Sequence, residues 1–243
     1  MEKTRSAIDR YIPEIEKIFG KNLVSINLFG SIARGDYVNG KSDINLLIIR
    51  KNRLPAELLQ LSRLTVSLKR RMNFALPLVL TEEEMRRSGD VFPMEYRDMK
   101  DFHIVLKGKD VLKDLKIEDK HLRLELESQI KGKLILLRES MIQWGKNKKV
   151  LKKILLKALP SVIVILRHIF ILNKKPVPKD IYAICQGTEE MIKNKLTFFR
   201  QLLHIKIGLL KLKDKDIVDL YMKTISEIER LSDYIDRFKI RKR

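Results

Sequence analysis

The chain has 243 residues, 44% hydrophobic and 34% charged, which excludes a disordered or low-complexity polypeptide. Lysine and arginine total 51 against 31 acids, a net charge of +20 that predicts attraction to polyanions. One cysteine, Cys185, excludes an intrachain disulfide framework, and the four histidines lack the spacing of a helical metal pair.

The first twenty residues carry Ile8, Ile12, Ile15 and Phe19 at helical spacing among charges, predicting an amphipathic helix and no secretory signal. Residues 23–29 and 44–49 are apolar runs of strand length. Residues 54–71 read as a helix, with Pro55 where a first turn tolerates proline. A third strand is expected over residues 74–80, and Pro77 restricts it to a sheet edge or a bulge. Thr81-Glu82-Glu83-Glu84 has the form of a capping box opening another helix, and residues 103–106 form a last short strand. Interleaved helices and strands predict an α+β or α/β domain over residues 1–115.

After about residue 118 the strand signal fades. Leu126, Ile130, Leu134, Leu137, Met141 and Trp144 step by three and four, the stripe of one helix face. Residues 154–172 are apolar on most sides but interrupted by Lys157, Pro160, Arg167 and His168. A membrane span needs about twenty apolar residues, so a buried bundle helix is expected here, with no membrane contact and a cytoplasmic location. Ile217, Tyr221, Thr224, Ile228, Leu231, Ile235 and Phe238 repeat the stripe in the last helix. This is a bundle face, and a homodimer through the C-terminal helices is the further expectation. Residues 116–243 hold 30 basic and 15 acidic residues, net +15, against 21 and 16, net +5, in residues 1–115. A solvated lysine-rich surface accounts for that excess, and a face for RNA or another polyanion is its sharper reading.

Chemistry is concentrated in Leu28-Phe29-Gly30-Ser31-Ile32-Ala33-Arg34-Gly35-Asp36, followed by Ser42-Asp43-Ile44-Asn45-Leu46-Leu47-Ile48. A strand running into Gly30-Ser31 and a short helical turn forms a phosphate cradle. Gly30 admits a phosphate close to the backbone, Ser31 offers a hydroxyl, and Arg34 brings a guanidinium one turn on. In the next strand Asp43 and Asn45 stand two residues apart, so their side chains leave one face while Ile44 and Leu46 face a core. Two oxygen-bearing side chains beside a phosphate loop are half of a magnesium site.

This arrangement resembles the nucleotidyltransferase superfamily that includes DNA polymerase beta, the kanamycin nucleotidyltransferases and the minimal nucleotidyltransferases. The resemblance lies in Gly30-Ser31, Ala33-Arg34-Gly35 and Ser42-Asp43-Ile44-Asn45, and extends weakly over residues 1–115. It implies an α+β chain: a nucleotidyltransferase-like mixed sheet with flanking helices over residues 1–115, and an all-helical bundle over residues 116–243. It further implies a nucleoside triphosphate with magnesium, bound by Gly30, Ser31, Arg34 and Asn45, with Asp43 and Asn45 as metal ligands and Asp43 as the catalytic carboxylate. Two departures stand out. The family's second carboxylate is Asn45, and residues 74–80, where a third carboxylate is expected, contain no acid. Glu95 and Asp98 follow the third strand and offer substitutes, Glu95 being the candidate catalytic surrogate, although Glu95 also suits the first turn of a helix starting at Pro93. Asp36, in the spacer, reads as a turn residue.

The expected function is a nucleotide-binding cleft with an impaired two-metal site. The alternatives are an active transferase moving a nucleoside monophosphate to an antibiotic, a protein or RNA, and a basic RNA- or protein-binding module.

Overall fold

The computed structural model describes residues 2–35, 37, 42–69, 74–211 and 214–240. They fall into two compact units, Met1–Glu118 and Asp119–Arg243.

In the first unit, helix α1 (Glu2–Phe19) leads into β1 (Leu23–Phe29), a one-turn helix α2 (Ser31–Arg34) and β2 (Asn45–Arg50). Then follow α3 (Pro55–Lys69), β3 (Leu78–Thr81), α4 (Glu82–Arg87), α5 (Pro93–Asp101) and β4 (His103–Gly108). The sheet order is β3-β2-β1-β4. β1 pairs antiparallel with β2 and β4, and β2 pairs parallel with β3, so the sheet is mixed.

Alternation along the strands builds two cores. Ile26, Leu28, Ile44, Leu46 and Ile48 pack against Ile8, Tyr11, Ile15 and Phe19 of α1 and Leu61 of α3. Leu47 and Ile49, on the opposite face, meet Met85 of α4, Tyr96 and Met99 of α5, Leu112 and Leu115. A one-residue slip of β2 would invert both layers, so this pattern specifies its register. The Tyr11 hydroxyl lies 3.1 Å from Thr65 Oγ1 and links α1 to α3. At the far end of β2, Arg50 Nη1 stands 3.2 Å from Glu57 Oε2, with both side chains 8% exposed. Asn22 donates to the other oxygen of Glu57 at 2.7 Å, joining the start of β1 to α3.

The third strand is shorter than the sequence suggests. Only an isolated bridge, Ile44 to Phe74, precedes it, and pairing proper starts after Pro77. Proline has no N–H for the ladder, and β3 accordingly forms a sheet edge. The capping box is present: Thr81 Oγ1 accepts from Glu84 N–H at 3.1 Å, and Glu84 accepts from Thr81 N–H at 2.7 Å. Those bonds hold the Glu84 carboxyl below its ordinary range.

The second unit is helical: α6 (Asp119–Trp144), α7 (Lys148–Leu172), α8 (Ile181–Ile192), α9 (Thr197–Lys206) and α10 (Ile217–Asp236). Leu126, Ile130, Leu134 and Leu137 of the α6 stripe are buried, while Trp144, its expected last member, is 39% exposed at the helix end. In α10, Ile217, Tyr221, Thr224, Ile228, Leu231 and Ile235 are all buried. The Tyr221 hydroxyl donates to the Leu137 carbonyl at 3.1 Å, fixing α10 against α6. α7 is the one helix among the described residues long and apolar enough to cross a membrane, and half of its most apolar stretch is buried in the unit. His168 is fully buried there, its Nδ1 2.9 Å from the Val164 carbonyl. The start of α9 is held by two buried acids: Glu189 accepts from Leu196 N–H at 2.8 Å, and Glu227 from Phe199 N–H at 2.9 Å.

Candidate nucleotide-binding cleft

At the end of β1 the chain turns sharply. Gly30 adopts φ 76° and ψ −146°, a conformation open essentially to glycine alone. Its position excludes a side chain for a second reason: an added Cβ would stand 2.7 Å from Asn45 Nδ2. That closeness follows from register, because Phe29 pairs with Asn45 across β1 and β2. The single turn of α2 follows, with Arg34 N–H donating to the Gly30 carbonyl at 3.0 Å. Gly35 closes it in the left-handed conformation, φ 81°.

Phe29, Gly30, Ser31, Arg34, Ser42, Asp43, Asn45, Glu95, Asp98 and Met99 line a cleft of about 370 Å³. Every residue that the sequence singles out for phosphate, metal or catalysis therefore borders one space. Asp36, in the spacer, lies outside the described residues. Asp43 is exposed and precedes β2, whereas Asn45 is half-buried on its first position. The Asn45 amide donates to the Asp43 carbonyl at 3.4 Å, so it braces the turn into β2. Glu95 holds both positions that its sequence suggests: it sits in the first turn of α5 and faces the cleft. Asp98, one turn further, has Oδ2 3.7 Å from Arg34 Nη1. Sequence reasoning missed the apolar contribution of Phe29 and Met99, which looks in one dimension like ordinary core.

Three carboxylates and one guanidinium give the cleft a formal charge of −2. A bare triphosphate entering it meets net repulsion, and a divalent cation accompanying the phosphates offsets that. The acids nevertheless do not converge: among the described residues no three acidic, histidine or cysteine side chains gather closely enough to hold a metal ion. With a neutral amide at Asn45, this donor set does not fit a resident two-metal centre.

The mixed sheet, the glycine turn beneath the second strand and the helical unit that follows define a nucleotidyltransferase fold with a helical domain. No family model matches the chain, and no curated protein matches it. Among solved structures it is similar to spectinomycin adenyltransferase AAD(9) from Enterococcus faecialis, solved with ATP and spectinomycin. That likeness has a TM-score of 0.56 and 14% identity over 96% of this chain and 99% of that one. At such identity it establishes the fold.

Proposed function

We propose that the Gly30–Arg34 cleft binds a nucleoside triphosphate together with a divalent cation, and transfers its nucleotidyl group weakly or not at all. Ser31 and Arg34 serve the phosphates, and Asp43 is the one charged ligand at the expected motif positions for the cation the triphosphate brings. The observation that carries this reading is Asn45, a neutral amide packed under Gly30 where the fold's chemistry calls for a second carboxylate. ATP in the structurally similar adenyltransferase supports the choice of ligand.

Nucleotidyl transfer forms a bond between an acceptor oxygen and the α-phosphorus and breaks the bond to pyrophosphate. It relies on positioning and on neutralising developing charge. Losing two carboxylates from that task costs about 4 kcal/mol of barrier, a thousandfold in rate. A second reading, an active transferase acting on an antibiotic, protein or RNA hydroxyl, draws on Glu95 and Asp98, which border the same cleft from α5. Measuring pyrophosphate release from wild type, Glu95→Gln and Asp98→Asn separates the two. The first reading expects background release in all three. Release that is rapid in wild type and falls a hundredfold in either variant supports the second.

A further inference from the structure

A cavity of the helical unit lies away from any motif, bordered by the start of α6 and the ends of α7, α8 and α10. It measures about 810 Å³, within the range of small-molecule sites. Its charge is opposite to that of the Gly30 cleft. Five cations, Lys174, Lys175, Arg230, Arg237 and Lys239, border it against two acids, Asp119 and Asp233. Lys174 is ion-paired with Asp119. Among the described residues no carboxylate pairs with Lys175, Arg230, Arg237 or Lys239.

Cations near a helix C-terminus offset the partial charge of its free carbonyls. That explains Lys175 after α7 and Arg237 after α10. It does not explain Arg230, six residues before the last residue of α10, nor Lys239 beyond the helix. One wall is aromatic. The rings of Tyr234 and Phe238 stand 5.9 Å apart, edge to face, and both are half-buried. Tyr234 is fixed in place, since its hydroxyl donates to Asn173 Oδ1 at 3.0 Å while the Asn173 amide donates to the Ile169 carbonyl at 2.8 Å. A rigid aromatic wall facing unpaired guanidinium and ammonium groups suits a ligand with a flat ring at one end and phosphate at the other.

We propose that this cleft binds a nucleoside phosphate, with Lys175, Arg230, Arg237 and Lys239 around the phosphate and Tyr234 and Phe238 against the base. The ligand is either a free nucleotide or the terminal residue of a single-stranded RNA, which share this chemistry. The site is separate from the Gly30 cleft and does not depend on it.

The test is calorimetric titration of AMP, and of a six-residue ribo-oligonucleotide, into the full chain and its variants. Arg230→Glu with Arg237→Glu should weaken binding at least tenfold, and Lys175→Gln about threefold. All three side chains are exposed, so the chain should still fold, with only a small drop in thermal stability from losing the cations that follow α7 and α10. Arg34→Ala, in the other cleft, should leave this binding as it is, which keeps the two sites apart in the result. Loss of AMP affinity in the double variant assigns a free nucleotide, and loss confined to the oligonucleotide assigns RNA. Unchanged affinity for both probes overturns the proposal. So does an equal loss on reversing Lys148 and Lys149, exposed cations at the start of α7, because that result indicates only a diffuse field.

Discussion

The two clefts oppose one another in charge and in construction. The Gly30 cleft is small, about 370 Å³, and bordered by more acids than bases. The cleft of the helical unit is about 810 Å³ and strongly basic. A phosphate ligand needs an accompanying cation in the first and none in the second. They also differ in what holds them. The first is built on a strand end and a glycine turn, whose backbone is constrained by sheet pairing. The second is built on the start of α6 and the ends of α7, α8 and α10, segments far apart in sequence. The acidic cleft is thus specified by a few residues close in sequence, and the basic one by the packing of a whole unit.

The sharpest way to break this contrast is to disturb the sheet unit alone. Arg50→Met leaves Glu57 buried without its guanidinium partner, at a cost of about 3–5 kcal/mol. Hydrogen exchange followed by mass spectrometry should then rise across peptides of the first unit while those of the second keep their protection. Gly30→Ala should cost about 1–3 kcal/mol, because alanine is strained at φ 76° and its Cβ meets Asn45. ATP affinity should fall with it, whereas binding of AMP to the helical unit should not.

Asn45→Asp sharpens the comparison in the other direction. It adds charge two residues from Asp43 and should tighten magnesium-dependent ATP binding about tenfold, ~1.4 kcal/mol, by calorimetry. Turnover should stay low, since residues 74–80 still lack an acid. In the helical unit, burial pushes the Cys185 thiol up to about 12. The folded state therefore keeps its proton where the unfolded chain loses it, and stability falls as pH rises from about 9 to about 12, by up to ~1.4 kcal/mol per pH unit. Denaturant titrations across that window should show the slope, and Cys185→Ala should reduce it, most clearly below about pH 10, since burial also raises the hydroxyls of Tyr11, Tyr96 and Tyr221. The smallest effect belongs to Tyr234→Phe, which removes the bond to Asn173 and should cost about 1 kcal/mol in thermal unfolding.

What was legible in the sequence follows the same division. Period-two alternation placed Asp43 and Asn45 opposite Ile44 and Leu46, and the capping box at Thr81 was visible because its bonds span three residues. The edge position of the third strand followed from Pro77, but its late start did not, since pairing there depends on β2. In the bundle, the stripe of α6 predicted burial correctly up to Leu137 and failed at Trp144, which lies on the last residue of the helix and is 39% exposed. The basic cleft left no local trace. Asp119, Asn173 and Tyr234 are more than fifty residues apart from one another, and only tertiary packing brings them together.

One experiment bears most directly on the central claim: ATP labelled at the α-phosphate, incubated with magnesium and excess wild-type protein, then separated into bound and free fractions and resolved by chromatography. The account predicts labelled ATP retained on the protein and still intact over many minutes. Rapid conversion to pyrophosphate and a transferred or free monophosphate contradicts the impaired site, and the absence of any retained ATP contradicts the nucleotide cleft itself.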